Sequence, residues 1–135
     1  YYYFGRNKKN SSGKMTKILL VEDDPFIQDI YETALEQADF EVETVEEGEK
    51  ALRTVKEEQP DLVLLDIVLP GKNGWDVLHE IKSDSDLEVE VYVLSNLNQE
   101  EEVDKGKNLG ADRYFVKAHY TPSQIVEEIK KEFNS

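Results

Sequence analysis

The sequence predicts an α/β fold, a doubly wound five-stranded parallel sheet with five helices, on three observations. Short strand-like runs recur about every twenty to twenty-five residues and alternate with stretches of helical period. Two of these runs, Ile18–Val21 and Leu62–Leu65, are continuous Val, Ile and Leu rather than alternating apolar and polar, as strands covered on both faces require. Most helical stretches open or close on turn or capping residues, and the alternation of strand and helix argues for a parallel sheet wrapped on both faces.

The first strand is Lys17–Val21 (KILLV), which runs into Glu22, Asp23 and Asp24. Asp24 suits an N-cap and Pro25 the first helical position, and Phe26, Ile27, Ile30, Tyr31, Ala34, Leu35 and Ala38 then recur at helical spacing. Glu41–Val45 (EVETV) alternates as a strand. The second helix covers Glu47–Glu58, with Ala51, Leu52 and Val55 inward, and Pro60 closes it. Leu62–Leu65 is the third strand. It stops abruptly on Asp66, after which Pro70, Gly71, Asn73 and Gly74 mark a loop. The third helix, Trp75–Ser83, buries Val77, Leu78 and Ile81.

Val89–Leu94 (VEVYVL) is the fourth strand and ends on Ser95. The fourth helix, Gln99–Leu109, offers only Val103 and Leu109 as large apolar residues and has Gly106 in its middle. It is expected to be the least firmly held. The fifth strand, Arg113–Val116, ends on Lys117. Thr121 and Pro122 open the last helix, which turns Ile125, Val126, Ile129 and Phe133 inward.

Length and composition bound the rest. A chain of 135 residues with no repeat of solenoid period is expected to be one domain. With no cysteine there is neither a disulfide framework nor a thiolate metal site. No apolar run approaches the length of a membrane span, and no signal-peptide core is present, so a cytoplasmic protein without membrane contact is expected. Residues 1–14 carry Arg6, Lys8, Lys9 and Lys14 and no acid, and show no amphipathic period. They read as a flexible leader or linker, leaving residues 15–135 as the domain. Beyond residue 14 the chain holds 12 Lys and Arg against 30 Asp and Glu, a net charge of −18. A body this acidic repels a phosphate backbone, so direct nucleic acid binding by it is not expected.

The chemistry lies in what terminates the strands. In a parallel sheet the ends bearing Glu22 and Asp23, Asp66, Ser95 and Lys117 share one edge, where open α/β sheets place their ligands. Three carboxylates crowded together there repel by a few kcal/mol per pair at an effective dielectric of about 20. A hard cation or a cationic side chain relieves that repulsion. Oxygen donors without His or Cys suit Mg²⁺, which accepts one or two carboxylates together with a phosphate oxygen. A carboxylate is also a competent nucleophile at phosphorus, and phosphoryl transfer asks mainly for positioning and for charge stabilisation on the equatorial oxygens. Mg²⁺, Lys117, and the Ser95 hydroxyl with nearby backbone amides would supply that stabilisation.

VEDD at Val21–Asp24, LLDIVLPGKNG at Leu64–Gly74, LSN at Leu94–Asn96 and GADRYFVK at Gly110–Lys117 together resemble the CheY-like receiver domain of bacterial two-component response regulators. The resemblance spans Lys17 to Phe133. It implies a flavodoxin-like strand order of 2-1-3-4-5. It also implies Asp66 as phosphoacceptor, and Mg²⁺ held by Glu22, Asp23, Asp66 and the Val68 backbone carbonyl. Ser95 and Lys117 would bind the phosphoryl group, and Tyr114 would be the aromatic that changes rotamer on activation. The implied partners are a sensor histidine kinase or histidine phosphotransfer protein and a downstream protein target. The contact face would be the fourth helix, fifth strand and fifth helix, and a phosphorylation-dependent dimer is among the expected assemblies.

With the chain ending at Ser135, just after the fifth helix, a single-domain regulator is expected, acting as a signalling phosphoacceptor rather than an enzyme in the usual sense. Two departures from the family pattern stand out. Ala118 follows the lysine where proline with a cis peptide is usual, so the bond is either held cis or relaxed with a looser Lys117. Asn96 stands where a small residue is usual and is expected to restrict access to the site. Val68, without a polar group to position water, predicts a long-lived phosphoryl state.

Other function classes fit less well. An aspartyl phosphohydrolase wants a second Asp two residues after the nucleophile, where this chain has Val68. A flavin-type nucleotide binder wants a Ser/Thr/Gly-rich loop after the first strand, where this chain has Glu22–Pro25. A pseudo-receiver that only docks partners is disfavoured by the intact acidic triad.

Overall fold

Period-two alternation along the strands builds two separate cores. The computed structural model describes residues 15–133, so the leader assigned to residues 1–14 lies outside the described residues. The strands are β1 (Lys17–Val21), β2 (Glu41–Val45), β3 (Leu62–Leu65), β4 (Glu90–Ser95) and β5 (Arg113–Val116). Between and after them come α1 (Pro25–Gln37), α2 (Gly48–Glu58), α3 (Gly74–Ser83), α4 (Glu100–Asn108) and α5 (Pro122–Phe133). All four strand pairings are parallel and the order is β2-β1-β3-β4-β5. The predicted fold class and strand order both hold.

Leu19, Val21, Val63, Leu65, Val91 and Val93 point to one face, where Ala51, Leu52 and Val55 of α2 and Val77, Leu78 and Ile81 of α3 cover them. Ile18, Leu20, Leu62, Leu64, Tyr92, Leu94 and Phe115 point to the other, against Tyr31 and Leu35 of α1 and Ile125, Val126, Ile129 and Phe133 of α5. Because β1, β3 and β4 are buried on both sides, their sequences carry no polar alternation.

On α1 the apolar arc is wider than the face that is covered. Tyr31 and Leu35 are buried, whereas Phe26 is 82% exposed and Ile30 50% exposed. These two lie on the flank of the arc turned away from the sheet, a distinction that spacing alone does not draw.

The fourth helix, expected from sequence to be the least firmly held, has a specific packing device. Gly106 is its buried residue, and a Cβ built there would stand 2.9 Å from Cδ2 of Tyr114 and 3.7 Å from Cζ3 of Trp75. The glycine read from sequence as a defect is where the helix backbone rests directly on an aromatic ring. Trp75 is half-buried against the same core, with the Lys105 ammonium 4.9 Å from its ring centroid.

Candidate functional site

Each loop at the C-terminal edge of the sheet is fixed by backbone ties before its side chains are considered. Glu22 N–H donates to Val45 O at 3.0 Å and Asp66 N–H to Val21 O at 3.0 Å, so the ladder carries the β1 and β3 ends into register. Asp24 caps α1, its carboxylate accepting from Phe26 N–H at 2.9 Å, which turns the chain sharply after Asp23. Past β3, the N–H of Gly74 donates to Ile67 O at 2.9 Å. A Cβ on Gly74 would fall 2.4 Å from Ile67 Cα, so only glycine lets the helix start this close to the Asp66 loop.

The side chains then converge. One carboxylate oxygen from each of Glu22, Asp23 and Asp66 lies within 4.8 Å of the others. Glu22 is 2% exposed and Asp66 8%, while Asp23 is open to solvent. Lys117 Nζ donates to Glu22 Oε1 at 2.7 Å and to Asp66 Oδ2 at 3.2 Å. The other oxygens of the buried pair are also engaged. Asp24 N–H donates to Glu22 Oε2 at 3.1 Å, and Val68 N–H donates to Asp66 Oδ1 at 3.1 Å.

Burial pushes the Glu22 carboxyl up from its ordinary value, against the opposing pull of Lys117. Burial alone would lower the Lys117 pKa, but the hydrogen bond and charge of Glu22 and the charge of Asp66 outweigh it and raise it. The ammonium is thus firmly charged. It neutralises part of a cluster that otherwise holds three negative charges.

The peptide after Lys117 is trans, as there is no cis peptide among the described residues, and Lys117–His119 form a short 3-10 turn. Of the two alternatives left open by Ala118, the relaxed loop is the one present. Its expected consequence, a loosened lysine, is absent, because the two carboxylates hold Lys117 with a side chain only 14% exposed.

Ser95, at the end of β4, is fully buried and its hydroxyl accepts from Leu97 N–H at 3.2 Å. Tyr114, half-buried on β5, donates its hydroxyl to the Leu97 carbonyl at 2.6 Å. Both therefore meet on the same loop. Burial raises the Tyr114 pKa, so the hydroxyl stays a donor. Val68 is 63% exposed and stands beside the carboxylates by virtue of its amide. Asn96, also exposed, lines a groove of about 350 Å³ with Lys117, Ala118, Tyr120 and residues of α1.

The fold thus gathers Glu22, Asp23, Asp66, Val68, Ser95 and Lys117 at one edge and sets Tyr114 one loop away. Sequence reasoning missed the Leu97 carbonyl and the packing role of Gly106. The first is a backbone atom with no side-chain signature, and the second reads as a helix breaker.

The chain belongs to the response regulator receiver domain family, whose model matches residues 18–130. Among curated relatives it is 38% identical over 114 residues to the probable transcriptional regulator ycf27 of Guillardia theta, covering 84% of this chain and 44% of that protein. It is 35% identical over 114 residues to the DNA-binding response regulator MtrA of Mycolicibacterium smegmatis, covering 84% and 49%. The chain therefore spans somewhat less than half the length of these relatives.

Among solved structures it is similar to the BeF3-activated N-terminal receiver domain of Klebsiella pneumoniae RstA. The TM-score is 0.79 at 28% identity, covering 86% of this chain and 97% of that one. The Mn(2+)-bound form of response regulator Rcp1 gives a TM-score of 0.78 at 29% identity, covering 86% and 92%. The phosphorylated cyanobacterial phytochrome response regulator RcpA gives 0.78 at 33% identity, covering 87% and 93%. The chain is accordingly a receiver module of a two-component system. No described helix is long and apolar enough to cross a membrane.

Proposed function

We propose that this receiver accepts a phosphoryl group on Asp66 from a histidine kinase or histidine phosphotransfer protein. The observation that carries the reading is the meeting of three carboxylate oxygens within 4.8 Å with the Lys117 ammonium seated on two of the same carboxylates. The donor set is all oxygen and fits Mg²⁺, and a likeness to a Mn(2+)-bound regulator supports a divalent ion. Glu22, Asp23, Asp66 and the Val68 carbonyl would hold it. Bound there, Mg²⁺ would supply positive charge against the phosphoryl oxygens.

The protein's own groups do the rest. An Asp66 carboxylate oxygen forms the new P–O bond as the P–N bond to the donor imidazole breaks, and the electron pair returns to the ring nitrogen. Lys117 would keep its charge throughout and follow the phosphoryl oxygens, leaving part of its pairing with the carboxylates. The Ser95 hydroxyl, now accepting from Leu97 N–H, would turn to donate to the phosphoryl group. Any such movement is felt at Leu97, whose carbonyl holds Tyr114. That shared loop would carry the state of Asp66 to the α4–β5–α5 face, where a downstream target binds or two phosphorylated copies pair.

We also propose that residues 15–135 are the receiver and that its setting is cytoplasmic. Output would pass by protein contact, without nucleic acid contact through this acidic domain. Its relatives include regulators described as DNA-binding, so a native product with a second domain would move output to that domain and leave the receiver chemistry unchanged. The module acts as a phosphoacceptor, assisting its own phosphorylation and losing the group slowly. Incubation with a small acyl phosphate, with Mg²⁺ or with chelator, followed by peptide mapping, tests the reading. Label should appear on the Asp66 peptide only with Mg²⁺ and vanish in Asp66→Asn.

A further inference from the structure

The acidic nest needs a restraint that its own carboxylates do not provide. Glu22 is tied through both side-chain oxygens, but Asp23 is exposed, and its direction is set by the peptide planes on either side of it. Like charge on Glu22 and Asp66 pushes it outward. The plane joining Glu22 to Asp23 carries the Glu22 carbonyl, and that carbonyl accepts from the side-chain amide of Gln28 at 2.6 Å. Gln28 sits one turn into α1, half-buried, with its own N–H donating to Asp24 O at 2.9 Å. The helix that Asp24 caps therefore reaches back with a neutral donor and fixes one of the two peptides whose rotation would swing Asp23 away.

Resting on the metal-dependent reading above, we propose that Gln28 is a positioning residue for the cation site, holding the Glu22–Asp23 peptide so that Asp23 faces Asp66. It touches neither ion nor phosphoryl group. An amide suits the task because it donates to a carbonyl without adding charge to a site that must attract a cation. Glutamate has the same shape but only accepts at neutral pH, so it would repel the carbonyl it faces.

The test is a Mn²⁺ titration followed by the electron paramagnetic resonance signal of free Mn²⁺, on the parent protein, Gln28→Met and Gln28→Glu, with folding checked by circular dichroism. Two variants of different polarity keep the test decisive should one fail to fold. Loss of one net hydrogen bond predicts a dissociation constant about three- to tenfold higher in both. The glutamate variant separates causes, since added negative charge alone would tighten binding. At saturating Mg²⁺ the rate of labelling by acyl phosphate should return to within about twofold of the parent, which general damage to the site would not allow. Variants that bind Mn²⁺ as the parent does, or a glutamate variant that binds more tightly, overturn the positioning role alone. A parent protein that takes up no Mn²⁺ overturns the metal-dependent reading beneath it.

Discussion

Lys117 lies closer to Glu22 than to Asp66, 2.7 Å against 3.2 Å, although Asp66 is the carboxylate at which chemistry is expected. The ammonium is the internal counterion of the acidic nest before any metal arrives. Burial costs the Glu22 charge more than it costs a surface carboxylate, and the shorter contact falls where that penalty lies.

Removing this counterion should expose the cost. Lys117→Ala leaves Glu22 and Asp66 buried with no cation between them, and breaking such a pair costs about 3 kcal/mol. The metal-free variant should melt on the order of 10 °C below the parent. Saturating Mg²⁺ should recover much of that loss, and calorimetric titration should find Mg²⁺ bound at least as tightly as in the parent. Phosphoryl-dependent change at Tyr114 should be lost. A variant that signals as the parent does would remove Lys117 from its assigned role.

The Glu22 carboxyl gives a pH dependence whose sign is fixed. Its folded pKa is raised above the ordinary 4.5, chiefly by burial. Between 4.5 and the raised value the folded protein binds more protons than the unfolded one, so metal-free stability falls as pH rises through that window. Mg²⁺ competes with that proton, so its stabilisation, about 2.7 kcal/mol at a hundredfold excess over its dissociation constant, grows over the same window. Melting curves with and without Mg²⁺ should diverge with rising pH. Glu22→Gln should flatten the metal-free curve there.

Gly106 and Tyr114 form a second testable pair. In Gly106→Ala the new methyl would stand 2.9 Å from Cδ2 of the Tyr114 ring, so the ring must give way. Overpacking costs about 1–3 kcal/mol, partly offset by about 1 kcal/mol of helix propensity. The expected outcome is small net destabilisation with the Tyr114–Leu97 hydrogen bond lost, visible as altered Tyr114 side-chain resonances. Tyr114→Phe removes only the hydrogen bond and should cost about 1 kcal/mol. An unmoved Tyr114 in Gly106→Ala would show that α4 yields instead.

Val68 bears on the lifetime of the phosphoryl state. Its side chain is apolar and largely exposed, so it offers no group to orient an attacking water. Label on the purified protein should persist far beyond seconds in the absence of a partner. Decay within seconds would assign water positioning to another residue.

Most of the architecture is legible in the chain because strand burial and strand-end chemistry are local signals. KILLV and LVLL announce two-sided burial, and Asp66 and Lys117 follow their strands directly, so their shared edge comes from topology alone. What is not legible depends on helix rotation or on backbone atoms. Spacing places Phe26 and Ile30 in one apolar arc with Tyr31, but only tertiary packing decides which flank is covered. Gly106 reads as a weakness until the Tyr114 ring is seen against it. The relaxed Lys117–Ala118 peptide and the tight hold on Lys117 coexist because two carboxylates just past the ends of β1 and β3 do the holding.

The measurement that goes most directly to the centre is phosphoryl transfer from an acyl phosphate, read by intact mass and peptide mapping in Mg²⁺ and in chelator. One added phosphoryl group on Asp66, dependent on Mg²⁺ and absent in Asp66→Asn, is the predicted result. Labelling that proceeds equally in chelator, or that survives in Asp66→Asn, would contradict the account.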